Sequence, residues 1–238
     1  MAMGNNWFKF KQFTVYQDSA AMRVGTDGVL LGAWAHHPAP LRILDVGSGT
    51  GVISLMAAQR WATAQIDAID PDLGAFEQSR KNFELSPWSN RLTAHNCDLQ
   101  HFTAEPYDLI ISNPPYFVNS LKNPDSAKST ARHTDTLPHD QLVLHAARLL
   151  SPTGTFAVIL PADLQANLFE LAQKNGLSAH RTAEIYDRQG RNQIRIMAEF
   201  RKCATTEPVI EKIYIRDVES NDYTEQYKSL TRDFYLKF

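Results

Sequence analysis

The segment Asp108-Leu-Ile-Ile-Ser-Asn-Pro-Pro-Tyr116 sets a short polar and aromatic element directly after an apolar run. Asn113 carries a side-chain carbonyl that can accept one N–H, and Pro114, which cannot donate, offers a main-chain carbonyl for a second. Two acceptors aimed at one planar amino nitrogen favour tetrahedral geometry and free a lone pair otherwise delocalised into the adjoining π system. Pro115 adds rigidity, and Tyr116 supplies a face on which a flat base can stack, worth about 1–3 kcal/mol. Such an element suits attack by a poorly nucleophilic nitrogen on an electrophilic carbon held in line. No strong general base is needed, because the proton becomes acidic only once nitrogen has gained its substituent. An Asn-Pro-Pro run also serves as a plain strand-ending turn, so its meaning depends on its surroundings.

Upstream, Ile43-Leu-Asp-Val-Gly-Ser-Gly-Thr-Gly51 is an apolar strand entering a loop with glycine at alternate positions, followed by the helical run Val52-Ile-Ser-Leu-Met-Ala-Ala. Side chains at Gly47, Gly49 and Gly51 would block a ligand from the backbone and from the helix N-terminus. Dinucleotide oxidoreductases space this loop Gly-x-Gly-x-x-Gly beneath a pyrophosphate. The tighter Gly-x-Gly-x-Gly spacing fits S-adenosylmethionine, a methyl donor without phosphates whose ribose and amino-acid portion the loop need only admit. Asp45 can attract the ammonium group of that ligand. Asp70 closes the next strand roughly 20 residues on, the place from which a carboxylate accepts both ribose hydroxyls. Asp98, after a further strand, can accept from the adenine amino group of the cofactor. Asp72 reads instead as a charge at a helix N-terminus, and Asp67 as solvent-facing.

These residues need a frame. Residues 41 to 160 alternate short apolar runs with amphipathic segments, the pattern of a parallel sheet flanked by helices. Leu41 to Val46, Gln65 to Asp70, Tyr107 to Ser112 and Thr155 to Leu160 read as strands. Leu142, Val143, Ala146, Leu149 and Leu150 share one helical face, as do Leu164, Leu168, Leu171 and Ala172, with Gly154 and Gly176 as helix stops. Ala183 to Tyr186 and Ile194 to Phe200 read as a hairpin about the turn from Asp187 to Asn192, so the sheet turns antiparallel; residues 209 to 215 can add another strand. Phe8 to Tyr16 resembles a hairpin arm, and Thr26 or Asp27 can cap a helix running to about Ala35. Tyr223, Tyr227, Leu230 and Phe234 recur at helical spacing behind an Asp222/Glu225 capping box, and serve core packing. In a doubly wound sheet ligands sit at the carboxyl ends of the strands, where the glycine loop, Asp70, Asp98, Asn113 and the Arg188 to Asn192 turn all fall.

The bulk composition narrows the field. At 238 residues, 43% hydrophobic and 21% charged, the chain can bury a full core and is neither disordered nor fibrous. No apolar stretch approaches the ~18 residues of a membrane span, and the N-terminus lacks a signal-peptide layout, so a cytoplasmic protein is expected. Cys97 and Cys203 are the only cysteines, and the eight histidines show no ligand spacing, which argues against disulfides and bound metal. A net charge of −2 excludes indiscriminate binding to nucleic acid, leaving a local patch as the means of holding one. The expectation is a single domain over 1–238: an arm and cofactor-closing segment over 1–40, a catalytic core over 41–201, and a C-terminal strand and helix over 202–238.

The glycine loop, acid series and Asn-Pro-Pro-Tyr element together resemble class I methyltransferases bearing an Asn-Pro-Pro-aromatic motif, which act on exocyclic amino groups of bases or on glutamine side chains. Over nearly the whole chain, through Phe8 to Tyr16, Met22-Arg-Val-Gly-Thr-Asp-Gly-Val-Leu-Leu-Gly-Ala-Trp34, Ala131-Arg-His133 and Phe234-Tyr-Leu-Lys-Phe238, the sequence is similar to the bacterial tRNA1(Val) adenine-37 N6-methyltransferase family. The resemblance implies a Rossmann-like α/β fold: a seven-stranded, mostly parallel sheet with an antiparallel last strand, plus an N-terminal arm and a C-terminal helix. It implies methyl transfer from S-adenosylmethionine to N6 of an adenine in the anticodon loop, a base already unpaired and cheaply splayed out. Asn113 to Tyr116 would then be catalytic, and the segment from Arg23 to Gly28, Thr26 included, would close over the cofactor. Family members often carry lysine where this chain has Arg23.

For the anticodon stem-loop of tRNA, Lys9, Lys11, Lys122, Lys128, Arg132, Arg188 and Arg191 are candidate backbone contacts, and the polar stretch over 117–137 can grip or cover a substrate. No membrane or metal is implied, and a monomer is expected. Two other readings share the residues: a protein glutamine N5-methyltransferase, whose carboxamide offers a similar nitrogen, and a catalytically silent module that only binds the cofactor. A nicotinamide oxidoreductase is disfavoured by the loop spacing.

Overall fold

The computed structural model describes residues 6–18, 23–115, 137–203 and 207–238. Tyr116, Lys122, Lys128 and Arg132, with most of the 117–137 stretch, lie outside them.

A hairpin of β1 (Trp7–Lys9) and β2 (Thr14–Tyr16) precedes α1 (Thr26–Trp34). The alternating core follows as β3 (Arg42–Val46), α2 (Val52–Arg60), β4 (Gln65–Ile69), α3 (Leu73–Glu84), β5 (Leu92–His95), β6 (Tyr107–Ser112), α4 (His139–Leu149), β7 (Leu150–Pro161) and α5 (Gln165–Lys174). The chain finishes with β8 (Ser178–Tyr186), β9 (Gln193–Arg201), β10 (Val209–Tyr214) and α6 (Glu225–Thr231).

One sheet orders its strands β10-β8-β9-β7-β6-β3-β4-β5. It has eight strands where seven were expected, because 209–214 does add a strand, parallel to β8. The antiparallel strand is β9, seventh in the sheet's chain order and wedged between β7 and β8. Chain order runs outward from β3 to β4 and β5, then returns to β6 and β7 on the other side, so the topological switch point falls between β3 and β6.

Strand residues alternate between two cores, as a period of two demands. Ile43, Ile66, Leu109 and Ile111 face α1 and α2, while Leu44, Ile69 and Ile110 face α4 and α5. Burial on both faces is why these strands read as continuous apolar runs. The last seven residues of α1, from Gly28 to Trp34, are all buried. Beyond its C-terminus, Glu199 accepts from His36 N (2.6 Å) and from Arg181, whose guanidinium lies 4.0 Å over the Trp34 ring. Arm and C-terminus meet in an aromatic cluster: Phe10 stacks on Phe13 and Tyr235, and Tyr227 on Tyr223. Along the outer edge of β10, the Gln226 carboxamide donates to Lys212 O (2.8 Å) and accepts from Tyr214 N (3.3 Å).

Three local expectations change. Thr26 is the first residue of α1 and does not cap it; Gly25 holds the cap position and no side chain caps that end. Gly154 is not a helix stop but lies within β7, where a Cβ would fall 2.8 Å from both Tyr107 O and Leu150 Cδ1. The cap of α6 is Thr224, accepting from Tyr227 N, in place of the Asp222/Glu225 box. Gly176, at φ +71°, does terminate α5. No helix among the described residues is long and apolar enough to cross a membrane.

Candidate active site

The carboxyl ends of β3 and β6 meet at the switch point, with that of β4 beside β3. Between β3 and α2, Gly47, Gly49 and Gly51 adopt φ values of +72°, +54° and +77°, which L side chains rarely tolerate. Their surroundings differ. A Cβ at Gly47 or Gly49 would meet no atom of the described residues within 4 Å, so the loop faces open space there, whereas one at Gly51 would come within 2.5 Å of Phe83 Cε1. Gly51 is thus required by packing against α3, while Gly47 and Gly49 keep the open face of the cradle clear.

Asp70 braces this loop. Its carboxylate accepts from Gly49 N (2.9 Å) and Asp72 N (3.0 Å), while Gly47 N bonds to Ile69 O (2.9 Å). Burial raises the Asp70 pKa above the usual carboxylate value, and the two N–H donors pull against that rise. Asp72 caps α3 by accepting from Ala75 N, as its helix-charge reading required. Asp98 follows β5 on the same edge, exposed and 3.6 Å from the His101 ring. Asn96, which no sequence signal marked, ties this corner together by donating to Asp70 O and Pro71 O (3.0 Å each). Asp67, expected to face solvent, is three-quarters covered and accepts from Tyr107 Oη (2.8 Å) and pairs with His95 (2.8 Å).

Asp45 sits beneath the loop, fully buried. One carboxylate oxygen accepts from Ser54 N (3.1 Å) and Ser54 Oγ (2.6 Å), fastening β3 to the first turn of α2, while Oδ1 has no partner among the described residues. Burial pushes its pKa up to about 7, against the pull of the Ser54 hydrogen bonds. The folded protein therefore retains a proton that the unfolded chain releases near the ordinary carboxylate pKa of about 4, and stability falls as pH rises through that window. Asp45→Asn keeps an acceptor for Ser54 and removes the titration. Relative to the parent, its unfolding free energy should climb by up to about 4 kcal/mol between pH 4 and pH 7 and stay level above. Denaturant melts of both proteins across that range, without ligand, check this; a constant difference would refute the assignment of the titration to Asp45.

Asn113 and Pro114 leave β6 beside this cradle, with Pro114 buried and Asn113 and Pro115 half-buried. Ser112, just before them, donates to Val46 O (2.9 Å) and locks the ends of β6 and β3 together. The first turn of α1 closes the other side: a Cβ on Gly28 would lie 3.7 Å from Asn113 Nδ2. Thr26 is exposed at this end of α1. An ion pair of Asp27 with Arg195 (2.8 Å) spans from α1 to β9 at this edge. Asn82 holds the arm to the loop, donating to Thr50 O (2.9 Å) and Tyr16 O (2.8 Å) and accepting from Tyr16 N (2.9 Å).

The described basic candidates divide. Arg191 is exposed in the β8–β9 turn at the site edge. Arg188, in the same turn, is engaged by Asp187 (3.0 Å) and donates to Asn221 Oδ1 (2.6 Å), which makes it a loop tie. Lys11 lies elsewhere: it donates to Arg232 O (2.5 Å) and Phe238 O (2.7 Å) and lines a cavity with His36, His37 and Arg60 at the far ends of α1 and α2.

A doubly wound sheet with one antiparallel strand, a strand–glycine-cradle–helix unit at its switch point and an Asn-Pro-Pro element on the adjoining strand define a Rossmann-like methyltransferase. The methyltransferase small domain family model matches residues 25–174. A tRNA1(Val) (adenine(37)-N6)-methyltransferase of Phocaeicola vulgatus is 47% identical over 235 residues, 98% of this chain and 99% of that protein. One of the same description from Serratia proteamaculans is 42% identical over 96% of this chain and 89% of that protein. Among solved structures, a protein of Agrobacterium tumefaciens described as a predicted O-methyltransferase superposes with a TM-score of 0.69 at 18% identity, covering 87% of this chain and 96% of that one. The chain belongs to the tRNA1(Val) (adenine(37)-N6)-methyltransferase family.

Proposed function

We propose that this protein transfers a methyl group from S-adenosylmethionine to N6 of adenine 37 in the anticodon loop of tRNA1(Val). The observation that carries the reading is the placement of Asn113 and Pro114 at the switch point, beside a glycine cradle whose open face is unobstructed. The residues present fit that donor: Gly47 and Gly49 leave room against the backbone, Asp70 stands where ribose hydroxyls would be received, and the unpartnered Oδ1 of Asp45 offers a buried acceptor below the loop. Bound there, S-adenosylmethionine supplies an electrophilic methyl carbon on a sulfonium centre.

The chain's own residues act on the nitrogen. Asn113 accepts one N6–H through its carboxamide oxygen and Pro114 accepts the other through its main-chain carbonyl, localising the lone pair. Tyr116 stacks on the flipped base, whose removal from a loop costs less than from a duplex. Thr26 and the start of α1 stand over the donor, Asp98 receives its adenine amino group, and Lys122, Arg132, Arg188 and Arg191 serve the phosphates, with Arg188 also tying its own loop. The protein works as a monomer in the cytoplasm.

Nucleoside mass spectrometry of tRNA incubated with the purified protein and S-adenosylmethionine tests this. N6-methyladenosine should appear at position 37 of tRNA1(Val) and disappear when that adenine is replaced by guanine. Label entering a protein glutamine in place of tRNA would overturn it.

A further inference from the structure

We infer that the Asp27–Arg195 ion pair is a positioning device for Asn113, a role that rests on the proposed function of that residue. The pair joins Arg195 Nε to Asp27 Oδ2 at 2.8 Å, with both side chains about three-quarters covered. Arg195 stands opposite Pro161 in the register of β9 with β7, so it projects from the strand edge that carries the active site. Its own stretch is held by Gln193, whose side chain donates to Arg195 O (3.0 Å) and to Gln165 Oε1 (3.2 Å). Asp27 lies in the first turn of α1, and Gly28, the next residue, is buried where an added Cβ would lie 3.7 Å from Asn113 Nδ2 and 3.6 Å from Val52 Cγ1.

The path is therefore β9 to Asp27, Asp27 to Gly28 through the backbone, and Gly28 to the Nδ2 side of Asn113. Gly25, at the cap position of α1, has no side chain with which to cap it, so the ion pair supplies a cross-link that the cap residue does not. Asn113 must present its carbonyl oxygen, and not its amino group, to the incoming nitrogen. A carboxamide turned about its last torsion exchanges the two, and that torsion is intrinsically broad. The first turn of α1 bounds the Nδ2 side of that carboxamide at Gly28, and the ion pair holds this turn in place. A partly buried pair is suited to this task, because it is less screened by salt than an exposed one.

The test combines Asp27→Asn, Arg195→Gln and their double variant with Asn113→Ala, using single-turnover methylation of tRNA at saturating S-adenosylmethionine, donor titrations and thermal melts. Each single change should slow methyl transfer at saturating donor about tenfold, with donor affinity titrated separately because the start of α1 also stands over the donor, and the double should be no slower than either single, as expected of one coupled unit. Arg195→Lys should recover part of the rate. In the Asn113→Ala background, Arg195→Gln should change the residual rate by less than about twofold, because the residue it positions is gone. The inference is overturned by an unchanged rate in the single variants, by a tenfold loss that persists without the Asn113 side chain, or by a rate loss that follows the melting temperature and is not relieved by lysine. If Asn113→Ala alone retains the parental rate, the active-site reading itself fails and takes this role with it. A slow Asn113→Ala combined with additive losses removes only the positioning role.

Discussion

Asn113→Ala is expected to lower the rate of methyl transfer about a hundredfold or more while leaving S-adenosylmethionine affinity close to that of the parent. The magnitude is that of losing a preorganised hydrogen-bond partner aimed at a reacting centre, where the partner is worth more than in water because nothing must reorganise during the step. Alanine removes the carboxamide while β6 remains locked to β3 through Ser112 and Val46, and Pro114 keeps its main-chain carbonyl. The cradle on the far side of β3 has its own bonds, from Gly47 to Ile69 and from Gly49 to Asp70, none of which passes through Asn113. Single-turnover kinetics alongside calorimetric titration of the donor separate the two quantities. Parental turnover in the alanine variant would remove Asn113 from the chemistry; a collapse of donor affinity would make it a binding residue first.

The opposite split is expected at Asp70. Asp70→Ala deletes the acceptor of Gly49 N and Asp72 N, two charge-assisted bonds worth about 1.5–3 kcal/mol each, and with them the brace of the loop and the partner for the ribose. Donor affinity should weaken about a hundredfold or more, while the rate extrapolated to saturating donor stays within about threefold of the parent. Asp70→Asn, which retains one carbonyl acceptor, should fall between the two. Titration and saturation kinetics on both variants decide the matter; donor binding that survives the alanine change intact would show that the carboxylate serves only the loop.

Much of this architecture is legible in the sequence because it rests on local pattern. Strands buried on both faces read as apolar runs, and the glycine spacing before α2 marks the cradle, so β3, β4, β6, β7 and the hairpin of β8 and β9 emerge with ends shifted by a few residues. The eighth strand is harder: Val209 and Ile210 are exposed, so its core-facing alternation rests on Ile213 and, just past its end, Ile215. Gly154 misleads for a physical reason, since a glycine demanded by the close approach of Tyr107 and Leu150 looks the same in sequence as one demanded by a helix end.

In the site, Asp70 and Asn113 are readable because a motif surrounds each. Asn82, Asn96, Asp27 and Arg195 are not, because each acts through partners 25 to 168 residues away, and a lone asparagine or arginine carries no spacing signal. Ser54 could have been found, as a hydroxyl in the first turn of the helix that follows Asp45. Lys11 and Arg188 show the converse: positive charge suggests phosphate in the sequence, and the structure adds bonds to the protein's own oxygens that no spacing announces.

The amide of Gln226 against β10 also governs how copies of this chain behave beside one another. A carboxamide has the donor and acceptor of a peptide group without its continuity, so at Lys212 and Tyr214 it stands in for a ninth strand and ends the ladder there. A neighbouring strand would have to displace that carboxamide, carried by α6, before it could pair with β10 at Lys212 and Tyr214.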